Sequence, residues 1–379
     1  MSNTMNVLFV SNDPSLSLSE SNARVRMLEY SRAIGMLHIV TAGKKRETIV
    51  DGQLTIHVIP CNRFTRVSSL ARKAHSIILE HNIVVVSAQD PFEHGLAALK
   101  AITGTEAKLH IQIHTDFLSP WFVRGVNLRA PKVPVPVLNR VRRNIADTVL
   151  PKAAGIRVVS ERIRASLIEK YGTSIPDPVV IPIHIQAALP EPVRLPVHPF
   201  TFALITVGRL EPEKRIQDSI TALARIRDEY PAVGLIVVGA GSELSKLRKL
   251  AHSKGLAKRV VFTDGWRTDA WGLMRSAQAY IQTSAYEGYS RTLVEAALAE
   301  VPIITTDVGI VGEVFKGYRD VLSTPVADPA ALAVHIRELV ENVALRTELT
   351  MHARDSVNAH LASTTSGAEG IAKDLARLL

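Results

Sequence analysis

The sequence predicts an α/β fold in two domains, each built on a parallel sheet with helices on both faces. Three observations carry this. Short apolar runs ending in turn residues alternate with stretches of helical spacing along the chain, the pattern of strands buried on both faces. At 379 residues the chain exceeds one ordinary core, and two domains of about 150–200 residues accommodate it. A cluster of prolines (Pro182, Pro190, Pro192, Pro196 and Pro199) breaks helix and sheet between two such alternations.

In order, "MNVLFVSND" reads as a buried strand and "ESNARVRMLEYSRAIG" as the helix after it. "LHIVTAG", "LTIHVIP", "NIVVVSAQD" and "LHIQIHTD" read as further strands. "RVRRNIADTVLPKAAGIRVVSERIRASLIEKYG" gives helix, strand, helix, and "PVVIPIHIQ" is a strand closing the half. After the prolines the pattern restarts with the strand "FALITVGRL" and the helix "EKRIQDSITALARIRDEYP". The strands "GLIVVGAG", "RVVFTDG", "AYIQTS" and "VPIITTDVG" come next. The boundary falls at 190/191, giving domains 1–190 and 191–379, with a last helix at about 366–379 able to pack back on the first. These are two Rossmann-like domains expected to face each other across a cleft, with ligands outside the carboxyl ends of the strands.

Composition narrows the function. No apolar run approaches the ~20 residues of a membrane-spanning helix, and the start shows no basic and apolar leader. A single cysteine, Cys61, forbids an internal disulfide and suits a reducing cytosol. The net charge is +9, and its excess lies wholly in the first half. Residues 121–157 carry eight basic side chains and one acid, Asp147. Nucleic acid, an anionic membrane or an anionic substrate would each explain that bias, as would a plain solvated face.

Four stretches carry candidate chemistry. In "SAYEGYSRTLVEAALAE", Glu287 lies in the loop after a strand and Glu295 one turn inside the next helix. Ser290 is placed to cap that helix. The N–H groups of Ser290, Arg291, Thr292 and Leu293, with those of Gly288 and Tyr289 before them, then offer an anion site at the positive end of the helix dipole. Two carboxylates beside a bound diphosphate make sense if each grips hydroxyl groups on either side of it. Two surface acids favoured by the dipole are the bland alternative. In "VGRLEPEKR", Gly208 allows close backbone approach, and Arg209 and Lys214 stand ready to stabilise a diphosphate leaving group. In "LHIQIHTDF", His110 reads as a core histidine, while His114 ends the strand and can meet a substrate hydroxyl; a metal on the two lacks a third ligand. In "VGAGSEL", Gly239 and Gly241, with Asp264 after the next strand, imitate part of a dinucleotide fingerprint, but Leu244 replaces its third glycine and a tight turn explains the fragment equally well. No Asp-x-Asp, no Walker phosphate loop and no G-x-S-x-G turn occurs.

With these residues in view the chain resembles the retaining glycosyltransferases of the GT-B fold, specifically the family-four group that includes glycogen synthase-like and lipid sugar transferase-like enzymes. "VGRLEPEKR" is similar to that group's G-R-L-x-x-x-K segment and "EGYSRTLVE" to its E-x7-E segment. "AALAEVPIITTDVGIVGEV" is similar to the group's next segment, and the three span about 110 residues in the right order. The resemblance implies that Glu287 holds the donor sugar, Glu295 the ribose, Arg209 and Lys214 the diphosphate, and His114 the acceptor side. It departs where "NDPSLSLSESNARVR" lacks a glycine-rich loop and where Ser290 replaces a common glycine. The implied activity is metal-independent hexosyl transfer, with retention, from a nucleotide diphosphate-sugar to a glycan or lipid-linked acceptor; no cofactor and no nucleic acid enters. A GT-B epimerase and a non-catalytic nucleotide-sugar-binding module are the alternatives. Trp121, Phe122, Arg124, Arg140, Arg142 and Arg143 then make an aromatic and cationic surface expected to meet acceptor or anionic lipid, placing a cytoplasmic enzyme peripherally on the inner face of the membrane.

Overall fold

The computed structural model describes residues 5–11, 13–19, 21–124, 137–185, 188–263, 265, 267–365 and 367–379, without the side chain of Arg124. The chain divides into two compact units. One takes in Met1–Leu118, Val135–Ile183 and Thr364–Leu379, the other Ser119–Pro134 and His184–Ser363. The chain thus leaves the first unit at Ile183, before the expected boundary at 190, and the segment from Ser119 belongs to the second unit despite lying inside the first half of the sequence.

The first unit runs β1 (Met5–Ser11), α1 (Asn22–Ile34), β2 (Gly35–Gly43), β3 (Glu47–Asp51), β4 (Leu54–Pro60), α2 (Arg66–His81), β5 (Val85–Ala88), α3 (Glu93–Ala101) and β6 (Lys108–Ile113). After α4 (Pro120–Arg124), which lies in the second unit, come α5 (Val137–Val149), β7 (Gly155–Val158), α6 (Glu161–Tyr171) and β8 (Val179–Val180). Its eight-stranded sheet has the order β3-β4-β2-β1-β5-β6-β7-β8. Every pairing is parallel except β3 with β4, so the expected parallel sheet carries one antiparallel edge strand. The reason is local: Asp51-Gly52 turns the chain back, with Gly52 at φ 60°, and β3 is an exposed edge strand. "PVVIPIHIQ" forms only the two residues of β8, because Pro182 lacks the donor that would extend the ladder.

The second unit continues with β9 (Phe202–Val207), α7 (Ile216–Ile226), β10 (Val233–Val238), α8 (Leu244–Ser253), β11 (Val260–Phe262), α9 (Ala270–Arg275), β12 (Ala279–Gln282), α10 (Arg291–Leu298), β13 (Ile303–Thr306), β14 (Leu322–Thr324), α11 (Pro329–Glu341) and α12 (Val343–Ser363). The chain then returns to the first unit, where α13 (Gly367–Ala376) sets Ile371 and Leu375 against Met27, Tyr30 and Ile34 of α1. The six-stranded sheet is all parallel, in the order β11-β10-β9-β12-β13-β14. Leu204 of β9 sits in register between Leu235 of β10 and Ala279 of β12. Strands therefore add outward in one direction through β11 and in the other from β12 onward. The carboxyl ends of β9 and β12 form the switch point of this sheet.

Candidate active site

At that switch point the loops after β9, β10 and β12 are bonded to one another. Gly239, just past β10, adopts φ 144°, and a Cβ there would lie 1.9 Å from the carbonyl oxygen of Gly208, just past β9. Only glycine permits this approach. The Gly208 N–H donates to Val238 O at 3.0 Å and the Leu210 N–H to Ala240 O at 2.8 Å, so the two turns are zipped together. "VGAGSEL" is thus a tight turn supporting the loop after β9. Asp264 lies outside the described residues.

The loop after β9 passes through a turn of 3-10 helix, Pro212–Lys214, into α7. It is fastened to the loop after β12 at three points. The Ala285 N–H donates to Glu213 O at 2.7 Å, the Thr283 hydroxyl reaches the carbonyls of Lys214 and Arg215, and Lys214 Nζ pairs with Glu287 Oε1 at 2.5 Å. Both ends of that ion pair are largely withdrawn from solvent, and the Ser284 hydroxyl donates to the same Oε1 at 2.7 Å. Two sequence-predicted residues 73 positions apart thereby meet. Arg209 is directed otherwise: its guanidinium pairs with Glu213 at 2.9 Å and is mostly exposed.

The start of α10 differs from the expected capped helix. Ser290 adopts φ 71°, ψ 59° and makes no side-chain cap; its Oγ accepts from Gln282 Nε2 at 3.3 Å. This is the position where glycine is common in the resembled family, and the left-handed backbone is the reason. Leu293 is withdrawn from the expected donor set, because its N–H is given to Ser290 O at 2.9 Å. The helix start is then served by the N–H groups of Arg291 and Thr292. Glu295 accepts from Arg291 Nε at 2.8 Å; burial raises the carboxyl's pKa and Arg291 pulls it back. Tyr289 is buried, and its hydroxyl meets His360 Nε2 of α12 at 2.8 Å. His360 carries no sequence signal, being one polar residue in a long helix.

His114 stands just past β6 in the first unit. It keeps solvent contact, yet the protein packed around it and then the like charges of Arg157 and Arg26 push its pKa down, against Asp90, so the imidazole is neutral at pH 7. His110 is fully buried and satisfied, by Ser87 Oγ at 2.8 Å and Asp374 at 3.0 Å. Among the described residues no group of three His, Cys, Asp or Glu side chains could hold a metal ion.

The aromatic and cationic surface needs correction. Phe122 is buried, edge-on to Tyr286 with ring centroids 5.6 Å apart, and the Trp121 ring lies 5.5 Å from the Arg215 guanidinium. Both rings pack beside the loops that carry Lys214 and Glu287, so they are no lipid-facing pair. They adjoin the basic run in sequence alone. Arg142 is engaged by Glu93 at 3.0 Å. Arg140 is exposed and Arg143 half-buried, while the side chain of Arg124 lies outside the described residues.

The chain is similar to several known proteins. Residues 200–356 match the family model "Glycosyl transferases group 1". Glycogen synthase of Mycobacterium tuberculosis is 28% identical over 224 residues, covering 59% of this chain and 54% of the relative. The lipopolysaccharide core biosynthesis glycosyltransferase LpsD of Rhizobium meliloti is 28% identical over 198 residues, covering 52% and 53%. The matches thus span about half the length of these relatives. Among solved structures, sucrose-phosphate synthase from Thermosynechococcus elongatus superposes with a TM-score of 0.78 at 18% identity, covering 99% of this chain and 98% of that one. Anabaena HepE in complex with UDP-glucose superposes with a TM-score of 0.73 at 18% identity, covering 99% and 100%. A region that matches the group 1 glycosyltransferase model is thus seated on the sheet whose switch point gathers Lys214, Glu287 and the start of α10, and the chain has the GT-B fold.

Proposed function

We propose that this protein transfers a hexose from a nucleotide diphosphate-sugar to an acceptor, with the anomeric configuration retained and without a metal ion. The observation that carries the reading is the Lys214–Glu287 pair, held between two mutually bonded loops beside the first N–H groups of α10. In the free protein these charges neutralise each other. The donor's diphosphate would draw Lys214, Arg209 and the N–H groups of Arg291 and Thr292, and Glu287 would turn its freed lone pairs to the sugar hydroxyls. Glu295, poised at the other side of the helix start, would take the ribose. The cations and N–H dipoles then act on charge that grows as the leaving diphosphate departs, each contact being worth about 2–4 kcal/mol in the transition state. Because these groups already stabilise the leaving charge, no step calls on a metal. The leaving phosphate would assist removal of the acceptor proton on the same face, and Glu287 need form no covalent bond.

A nucleotide-sugar donor is supported by HepE, solved with UDP-glucose, and by a GDP-mannose-dependent mannosyltransferase of Mycobacterium tuberculosis, 33% identical over 117 residues. The relatives named for lipopolysaccharide support a cell-envelope or lipid-linked acceptor. Such an acceptor fits a cytoplasmic enzyme resting on a membrane; no helix among the described residues is long and apolar enough to cross one. A thermal-shift panel of nucleoside diphosphates and their sugars tests the reading. The true donor raises Tm by mass action, and with an acceptor it releases the diphosphate in the presence of a chelator. Turnover of the donor alone into a second sugar nucleotide, or activity abolished by the chelator, would refute it.

A further inference from the structure

The loop that carries Glu287 contains a backbone that cannot hold itself. Ser290 sits at φ 71°, where a side chain is tolerated only if the surroundings fix it. The Gly309 N–Cα–C unit crowds it closely: a Cβ at Gly309 would fall 2.4 Å from Ser290 Oγ. Immediately before Ser290 the chain is pinned through Tyr289. Its carbonyl accepts from the Ile310 N–H at 3.3 Å, and its ring, 2% exposed, is among the largest fully buried side chains. A buried phenol must find a partner for its hydroxyl. That partner is His360 Nε2 at 2.8 Å, with ring centroids 6.1 Å apart and planes tilted by 36°. His360 lies in the last turn of α12, the helix packed on α10, and three residues later Ser363 ends the second unit.

We propose that His360 is a positioning residue for donor binding: through Tyr289 it fixes the Ser284–Ser290 loop, and with it Glu287 and the first N–H groups of α10, to the end of the helix that leads the chain back to the first unit. This rests on the reading of that loop as the donor site. His360 touches no reacting atom; its effect passes through the Tyr289 hydroxyl. Burial lowers its pKa, so at neutral pH the ring is uncharged and its Nε2 can accept the phenolic proton.

The experiment compares Tyr289→Phe, His360→Ala, the double variant and His360→Gln in the full-length protein. With the donor found by the thermal-shift panel, each single variant is expected to lower kcat/KM about tenfold, chiefly through donor KM. The double variant should be no worse than either single one, since both remove one bond. His360→Gln, which keeps an acceptor for the hydroxyl, should recover most of the loss. Backbone hydrogen exchange on the same proteins without ligand gives a second readout. The N–H groups of Ala285, Leu293 and Ile310 should lose protection about tenfold in Tyr289→Phe and His360→Ala but not in His360→Gln. Losses that multiply in the double variant, a glutamine no better than alanine, or unchanged exchange at those three groups each overturn the proposal. If the unmodified protein binds and transfers no sugar nucleotide, the functional reading fails, while exchange at those groups still decides whether His360 fixes the loop.

Discussion

Beyond β9, β10 and β12 each loop is bonded to its neighbour, whereas the polar side chains within β5, β6 and β7 are bonded to one another inside the flank of the sheet. In the second unit the contacts run between loops: Gly208 with Val238, Glu213 with Ala285, Lys214 with Glu287. In the first unit a buried chain of hydrogen bonds runs from Asp374 of α13 through His110, Ser87 and Gln112 to Arg157, whose guanidinium ends on the Ile181 carbonyl. The two units thus put their polar groups to different uses. On the proposed function, the second preforms its donor site, because preorganised donors cost nothing to reorganise at the moment of reaction. The first uses them to lock strands and the returning helix, and leaves His114 exposed at its sheet's end.

Lys214→Ala puts this contrast at greatest risk. If the bonded loops of the second unit are catalytic, this change removes a cation from the leaving group and strands the Glu287 carboxylate in a site it shares with an anion. A fall in kcat/KM of about 10²–10³ is expected, with Tm lowered by the unpaired Glu287 carboxylate while three other bonds still join the loops. Steady-state kinetics with saturating acceptor decides it; a loss below about threefold would mean that the preformed pair is merely structural.

The second test addresses the first unit's habit of burying its polar groups. His38 of β2 and His57 of β4 are buried side by side, Nδ1 to Nε2 at 3.4 Å, and the His81 ring stacks on His38 at 4.2 Å. Burial lowers both pKa values to about 4; His81 and Lys73 push the same way on His38, while on His57 Lys73, His38 and His81 do so and Glu80 opposes. An unfolded histidine takes up its proton near pH 6.5, and these take it up only near 4. Stability is therefore whole above pH 6.5 and is lost as pH falls toward 4. For two rings that do not charge independently the loss is on the order of 3 kcal/mol. Urea unfolding of the full chain at pH 7.0 and at about pH 4.5, for the parent and for His57→Leu, checks this. A parent whose midpoint is flat across that interval would show that the rings are not held neutral.

How far the fold and the site were legible obeys the same division. Lys214, Glu287 and Glu295 could be found because each lies at a fixed short distance from a strand end, inside a segment whose spacing is set by one turn and one helix start. The alternation of apolar runs gave the strands for the same reason. Residues whose roles depend on distant partners could not be found: His360 meets Tyr289 across 71 positions, and Asp374 meets His110 across 264. Ser290 misled because a serine before a helix usually caps it, and tertiary packing instead forces a left-handed backbone there. The β3 hairpin is signalled by Asp51-Gly52, but its polar edge strand lacks the apolar run that marks the other strands.

A weaker effect is expected at the surface of the first unit. With Trp121 and Phe122 assigned to the second unit, the described residues of the basic segment present one exposed face on α5, where Val137, Leu138 and Val141 are 69%, 54% and 46% exposed beside the exposed Arg140. Phe64, 81% exposed and stacked under Arg63, lies just past the carboxyl end of β4; α5 also starts at the carboxyl end of this sheet, since it feeds the parallel strand β7. Apolar side chains flanked by guanidiniums suit the boundary of an anionic bilayer, where each cation contributes about 1 kcal/mol. The protein should therefore sediment with phosphatidylglycerol vesicles at low salt and not with phosphatidylcholine ones. Arg140→Gln should weaken that binding about fivefold, and Leu138→Ser further. Because the whole chain is basic, Lys249→Gln on the second unit serves as the matched control, expected to change little. If the two charge removals weaken binding equally, the attraction is diffuse and α5 is no docking face.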